Sequence, residues 1–476
     1  MKIAFLTLGC KVNSYETEQM KSRFENAGYR IVAFSEQADI YLVNTCTVTN
    51  IADRKSRKML HRARRMNSDA VVVAAGCYVD SAKQKGEVDG AIDLFLSNTE
   101  KDRVVELVEA VLQKRLEEKA ESPDSAVSEK QNFSGDIADS RETGISAAAR
   151  AEEHTRAYIQ VQNGCNQYCS YCIIPYVRGP LTSKSVEQVR EEVGQLAKQG
   201  IREVVVTGIH LSSYGVEGDD ARAFVEAQGK PLLELLEAIE ETPGIERIRL
   251  GSLEPRIITR TFAKRLAENE KICPHFHLSL QSGCDTVLKR MNRHYTTAEY
   301  QEKVEILREI YRHPAITTDI IVGFPQETEE EFWQTRKYAE QIGFAQIHVF
   351  KYSRRQGTVA DRMEGQVSEQ VKSARSDILL QTQMKLMQQY QEYYWGIVEE
   401  VLFEEITEIQ GKSYLTGYTN TYVRVAVAVA GVEEAEKKRN ALGLVRITER
   451  LDACVLCGKL IAVFDFQHRV YSDFTQ

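Results

Sequence analysis

The sequence predicts an α/β protein in three parts: an N-terminal parallel βαβ domain, a partial (βα)6 barrel, and a small antiparallel β-barrel at the C-terminal end. Two observations carry the first two parts. Short β-branched runs alternate with amphipathic helical stretches up to about residue 110, and again from Tyr158 to about Phe350. Strands that alternate with helices pair in parallel. A third observation carries the last part: after Trp395 the chain turns to short β runs broken by turn residues, which is the pattern of a small barrel. The domains are therefore expected at 1–115, 154–380 and 383–476. Residues 116–153, rich in Glu, Ser, Ala, Asp and Lys and poor in large apolar side chains, read as a flexible linker. With 476 residues, 43% of them hydrophobic, the chain has enough apolar material for three cores.

In the first block IAFLTL, DIYLVN and AVVVAA read as strands, with ETEQMKSRFENAG and a basic stretch as the intervening helices. In the second, AYIQVQ, EVVVTGIH, RIRLGSL, FHLSLQSG, TDIIVGFP and AQIHVF are six strand candidates, which favours an open barrel over a closed eightfold one. Residues 367–394 read as mostly helical, with Leu379, Leu380, Met384 and Met387 spaced as a buried stripe. SYLTGYTNTYVRVAVAV, ALGLVRIT and GKLIAVFDF supply the strands of the last block.

No apolar run approaches the 18 or so residues of a membrane-spanning helix, and MKIAFLTLGC is too short for a signal peptide. A cytoplasmic protein with no membrane partner is expected. Ten cysteines in such a chain argue for reduced thiols that bind metal or carry out redox work, not for disulfides. The net charge of −8 means that a nucleic-acid partner must be held by a local basic patch.

The most informative run is GCNQYCSYCIIPYVRG, in which Cys165, Cys169 and Cys172 form a CxxxCxxC triplet. Three thiolates on one short loop can hold three corners of an iron-sulfur cube, and the open fourth iron can bind a small molecule and pass it an electron. A zinc site would need a fourth Cys or His, and none lies within ten residues. In the first block Cys10, Cys46 and Cys77 each follow a strand candidate, at spacings of 36 and 31 residues that match successive βαβ units. Residues just beyond the carboxyl ends of neighbouring parallel strands converge on one rim. Each alone reads as a small buried hydrophobe; together they read as a second three-thiolate site.

The segments GCKVNSYE, NTCTVTN and GCY, followed by the CxxxCxxC run, resemble the methylthiotransferase family of radical S-adenosylmethionine (SAM) enzymes over residues 1 to about 380. TGIH, LKRMNRHYT and DIIVGFP followed by ET are closest to the branch that modifies threonylcarbamoyl-adenosine at position 37, beside the tRNA anticodon. The resemblance implies an N-terminal methylthiotransferase domain, a radical SAM barrel and two 4Fe-4S clusters. The cluster on Cys165, Cys169 and Cys172 would cleave SAM, and the cluster on Cys10, Cys46 and Cys77 would carry sulfur. One SAM methylates that sulfur. A second yields the 5′-deoxyadenosyl radical that removes hydrogen from carbon 2 of adenine. An aromatic C–H bond has no proton acidic enough for a side-chain base, so the cofactor must perform the hard step. An electron donor and a sulfur source are implied partners.

Barrel chemistry sits at the carboxyl ends of the strands, which makes Thr207, Gly208, His210, Ser252, Glu254, Gln281, Asp319 and Gly323 the candidate SAM contacts. Turn geometry is the competing reading for Gly208 and Gly323, and a hydrogen-bonded structural role competes for His210. The basic stretch carries Arg54, Lys55, Arg57, Lys58, Arg62, Arg64 and Arg65, with Met59, Leu60, Ala63 and Met66 on the other side of the helix. An all-cationic face on an acidic protein points to phosphate contacts with RNA, here tRNA. The last block resembles the TRAM module, an OB-like RNA-binding fold, through GYTNTYVRV. It is acidic, however, and Cys454 and Cys457 read as two reduced thiols. Rival readings are methylthiolation of a ribosomal-protein aspartate or of isopentenyl-adenosine in tRNA, and, from another class, a two-cluster electron-transfer protein.

Overall fold

A computed structural model of the chain describes residues 1–86, 88–120, 155–218, 220–429 and 431–464. They fall in two compact units, Met1–Ala149 and Arg150–Gln476.

The first unit is a five-stranded sheet of β1 (Lys2–Thr7), β2 (Arg30–Val32), β3 (Ile40–Thr45), β4 (Val71–Gly76) and β5 (Leu94–Leu96), in the order β2-β1-β3-β4-β5 with every pair parallel. β3 and β4 are buried along their whole length. Tyr41, Val43, Val72 and Ala74 pack one face of the sheet, and Ile40, Leu42, Val71 and Val73 the other. That two-sided burial is why these strands read as unbroken apolar runs, and each buried Val, Leu or Ile among them contributes roughly 1.5–3 kcal/mol. The helix Val104–Ala120 continues past the expected domain end at 115, so residues 116–120 are helix and not linker. The rest of the expected linker, 121–153, lies outside the described residues.

In the second unit, β6 (Arg156–Asn163), β8 (Glu203–Gly208), β9 (Arg247–Leu250), β10 (His275–His277), β11 (Ala315–Val322) and β12 (Gln346–Lys351) are the six expected parallel strands. The two-residue β7 (Thr182–Ser183) adds an antiparallel edge to β6. The sheets β7-β6-β8-β9 and β10-β11-β12 are joined by the bridges Ile248 to Ile272 and Leu253 to Leu278. The result is an open barrel. Alternation along the strands sorts the side chains: Ile159, Val206, Ile248, Phe276, Leu278, Ile320 and Ile347 pack into the core with the helices. Their neighbours Gln162, Thr207, Arg249, His277, Asp319 and His348 face the lumen by the two-residue period.

The helix Glu369–Glu392 crosses the expected boundary between domains at 380–383. The expected buried stripe on it is half wrong: Leu379 is buried, but Leu380 and Met384 are 43% and 44% exposed. The buried face instead carries Lys372, Arg375, Ser376, Leu379, Thr382 and Leu386. Arg375 is buried because its guanidinium pairs with Glu327 Oε2 at 2.6 Å, a partner that an apolar count along one helix does not reveal.

The small barrel comprises β13 (Val398–Ile409), β14 (Lys412–Thr419), β15 (Arg424–Ala428), β16 (Leu442–Arg450) and β17 (Val455–Phe464), closed in the order β13-β14-β15-β17-β16. It departs from the expected all-antiparallel pattern in one pair, since β15 and β17 run parallel. It seals the N-terminal edges of the six-stranded barrel. Arg247 donates to the Tyr418 and Glu400 carbonyls at 2.8 and 3.0 Å, and Arg249 donates to the Asn420 carbonyl at 2.8 Å. Arg249 also pairs with Glu203 at 2.7 Å, both 1% exposed. Tyr418 and Tyr422 stack at 4.6 Å, with the Arg156 guanidinium over both rings. The GYTNTYVRV run thus lies at an internal contact, which leaves the opposite end of the barrel, where the strands end, for chemistry.

Candidate metal centres

The CxxxCxxC loop leaves the end of β6 through Gly164, whose φ of +74° favours glycine and whose added Cβ would lie 1.8 Å from the Pro180 carbonyl oxygen. The loop is stitched to residues 290–293 from across the barrel. Ser170 N donates to the Met291 carbonyl at 3.0 Å, Ser170 Oγ to the Arg290 carbonyl at 2.8 Å, and Asn292 Nδ2 to the Tyr168 carbonyl at 3.0 Å. Burial pushes the Cys165 thiol up to about 11 and the Cys172 thiol further, with the Cys169 charge adding to both. Backbone N–H groups two residues on, at Gln167 and Ile174, oppose this by donating to the Cys165 and Cys172 sulfurs. Arg293 reaches the third cysteine: its Nη1 is 3.3 Å from Cys169 Sγ, while Nη2 donates to the Ser279 carbonyl at 3.3 Å and Nε to Tyr295 Oη at 3.0 Å.

In the first unit the three cysteines converge as the topology requires. Cys10, Cys46 and Cys77 follow β1, β3 and β4, which are adjacent in the sheet. Gly9 (φ +109°) and Gly76 (φ +93°) permit the approach: an added Cβ on Gly9 would lie 2.8 Å from Cys46 Cβ, and one on Gly76 would lie 2.6 Å from Asn44 Oδ1. Asn13 Nδ2 ties two of the loops by donating to the Leu8 and Thr45 carbonyls at 2.7 and 2.9 Å. Burial raises the Cys46 thiol to about 11, partly opposed by the Val48 N–H, and the charges of Cys77 and Cys10 raise it further.

Burial thus disfavours the thiolate at Cys46, Cys165 and Cys172 until a cation compensates it, which is the behaviour of metal ligands. Zinc with bonds of about 2.3 Å needs thiolates roughly 4 Å apart. Among the described residues neither trio brings its three sulfurs within 4.8 Å of one another. Neither trio as it stands is closed enough for one zinc ion.

The expected SAM contacts divide. Thr207 and Gly208 end β8 beside the loop. Gly208 is needed for close approach and not for a turn, since an added Cβ would sit 2.8 Å from Gln162 Oε1, the atom that accepts from His210 N at 2.7 Å. His210 Nδ1 is held by Ser213 Oγ at 2.7 Å, whereas its buried Nε2 has no hydrogen-bond partner among the described residues. Burial, then the Arg293 and Arg256 charges, lower its pKa to about 3, so the ring is neutral. Glu254 is buried and accepts from Arg256 Nε at 2.7 Å; Arg256 Nη2 in turn reaches Gln167 of the cysteine loop at 3.2 Å. Gln281 holds φ +72° and its N–H donates to the Asp319 carbonyl at 2.9 Å. Gly323 has φ +70°, so turn geometry is met there. Ser252 is exposed. Asp319 faces His277 on the neighbouring strand at 3.3 Å. Reading the sequence missed Arg293, Gln162 and Arg256; the motif LKRMNRHYT contains Arg293, but nothing local marks it as a partner of Cys169.

The basic helix forms at Asn50–Met66, capped by Thr49, which accepts from Ala52 N. Arg54, Lys55, Arg57, Lys58, Arg62 and Arg65 are exposed or half-buried, and among the described residues none of them has a salt-bridge partner. Arg64 differs. It donates to the Ser68 and Ala70 carbonyls at 2.8 Å and pairs with Asp93, so it braces the fold.

An open six-stranded (βα) barrel with a three-cysteine loop after its first strand defines the radical SAM class. The family model described as "Radical SAM superfamily" matches residues 159–339, and that described as "Uncharacterized protein family UPF0004" matches residues 2–97. The chain is 37% identical over 424 residues to the threonylcarbamoyladenosine tRNA methylthiotransferase MtaB of Bacillus subtilis, covering 89% of each chain. It is 36% identical to the protein of that name from Aquifex aeolicus, covering 87% of this chain and 97% of that one. It is 32% identical to the tRNA-2-methylthio-N(6)-dimethylallyladenosine synthase of Pelotomaculum thermopropionicum, covering 85% and 86%. The chain belongs to the radical SAM tRNA methylthiotransferase family. Radical SAM enzymes bind a 4Fe-4S cluster and SAM, and the Cys165, Cys169, Cys172 site fits that cluster.

Proposed function

We propose that this enzyme methylthiolates carbon 2 of threonylcarbamoyl-adenosine at position 37 of tRNA. The observation that carries the reading is the likeness to two threonylcarbamoyladenosine tRNA methylthiotransferases at 36–37% identity over most of the chain, joined to two separate thiol trios. A 4Fe-4S cluster at Cys165, Cys169 and Cys172 supplies, when bound, the electron that cleaves SAM. Arg293 holds Cys169 and balances the charge of the site. Thr207, Gly208, His210, Glu254, Gln281, Gly323 and Ser252 line the rim where SAM is contacted, with neutral His210 offering its buried Nε2, while Asp319 is turned to His277 in the lumen. Cys10, Cys46 and Cys77 would hold a second 4Fe-4S cluster, which would supply the site for the sulfur to be transferred. Arg54, Lys55, Arg57, Lys58, Arg62 and Arg65 grip tRNA phosphates; Arg64 does not. An electron donor and a sulfur source complete the cycle in the cytoplasm. Among the described residues no helix is long and apolar enough to cross a membrane.

The test is mass spectrometry of bulk tRNA nucleosides from cells with and without the gene. Loss of the methylthio form of threonylcarbamoyl-adenosine is expected. Loss of methylthio-dimethylallyl-adenosine instead, or an unchanged nucleoside profile, would overturn the substrate assignment.

A further inference from the structure

Three lumen-facing side chains on the strands β10 to β12 form a polar group beside the cysteine site. His277, Asp319 and His348 bring their ligand atoms within 4.8 Å of one another. Their positions follow from the register: Asp319 sits opposite His348 in the β11–β12 ladder, and His277 opposite Thr317 in the β10–β11 ladder. The order of the group is built. His277 Nδ1 lies 3.0 Å from Thr317 Oγ1 and its Nε2 lies 3.3 Å from Asp319 Oδ2, which fixes the ring and points the carboxylate between the two imidazoles. The two rings lie 5.8 Å apart. His277 and Asp319 are partly buried, while His348 is exposed, so the group opens toward its ligand.

The group also lies close to the chemistry. Arg293 donates both to Cys169 Sγ and to the Ser279 carbonyl, and Ser279 is two residues beyond His277, roughly 7 Å along an extended strand. The trio and the cysteine loop are thus connected through one short stretch of chain after β10 and the Arg293 side chain.

Resting on the tRNA reading above, we infer that His277, Asp319 and His348 are the recognition site for the carboxylate and hydroxyl of the adenosine's N6 substituent. An imidazole N–H of His348 donates to the substituent's carboxylate, and Asp319, held by His277, accepts from its hydroxyl or ureido N–H. This is the chemistry that separates substrates most sharply. A site built to hydrogen-bond a polar group rejects an analogue that lacks it, because its own polar groups are then left unpaired. A dimethylallyl substituent offers nothing to any of the three.

The test uses reconstituted holoenzyme with tRNA carrying threonylcarbamoyl-adenosine or dimethylallyl-adenosine at position 37. In the His348→Phe variant kcat/KM for the first tRNA falls about 10- to 100-fold, the worth of one hydrogen bond to a charged group, and the preference between the two tRNAs shrinks by the same factor. Iron content stays that of wild type. His348→Gln, which keeps a donor, recovers part of the preference. A His348→Phe enzyme with the wild-type preference would overturn the inference. So would a stoichiometric non-cluster metal ion present in wild type and lost in the variant, which would make the trio a metal site. Wild-type enzyme inactive on the first tRNA would instead sink the functional reading itself.

Discussion

At the scale of single residues, Arg293 donates to a cysteine sulfur of the site proposed to cleave SAM. A donor to a ligand sulfur stabilises the reduced cluster and raises its potential. Replacing Arg293 by Gln is expected to move the midpoint of that cluster to more negative values in an EPR-monitored redox titration, with Arg293→Lys intermediate; an unmoved midpoint would show that the guanidinium does no tuning. The cysteines were legible because their spacing is local and their chemistry is distinctive. Arg293 was not, because it lies 124 residues from Cys169 and only the closure of the sheet brings the two together. His210 was legible as a candidate but not in its state, which depends on burial and on two arginines from elsewhere in the chain.

At the scale of elements, the basic helix Asn50–Met66 separates two kinds of arginine. Changing Arg57, Lys58 and Arg62 to Glu removes exposed cations, so tRNA affinity should drop and the slope of log affinity against log salt should flatten by about 2–3 units, near one for each phosphate that is no longer neutralised. An unchanged slope in a filter-binding titration would place the RNA elsewhere. Arg64→Ala should leave that slope alone and lower the Tm instead, since Arg64 bonds two carbonyls and Asp93. Charge patterning along the helix could show that a cationic face exists, but not which cation turns inward. The helix Glu369–Glu392 shows the same limit from the other side: its buried face is mixed, with Lys372 and Arg375 inside and Leu380 out, because the pairing of Arg375 with Glu327 and the seat of Lys372 over the Tyr352 ring override apolar periodicity.

At the scale of the molecule, each unit reads as a layered α/β core with its thiols at the carboxyl ends of the strands, and that much was legible from strand and helix alternation. The sealing of the barrel floor by the small barrel was not, because it rests on Arg247 and Arg249, which in sequence are only the polar half of a strand. Arg249→Ala would strip buried Glu203 of its two guanidinium hydrogen bonds, leaving only the charges of Arg156 and Arg247 near it, at a cost of up to about 3–5 kcal/mol, and thermal unfolding of the variant should show it as a clear fall in Tm. A Tm unchanged from wild type would mean that the two parts are held by other contacts. The account as a whole depends on two separate cubanes, each bound by three cysteines of its own. Mössbauer spectroscopy of anaerobically reconstituted protein, compared with the Cys10→Ala, Cys46→Ala, Cys77→Ala triple variant, tests this most directly. The account predicts two 4Fe-4S clusters in the wild type and one, still able to cleave SAM, in the variant; the same single cluster in both proteins would contradict it.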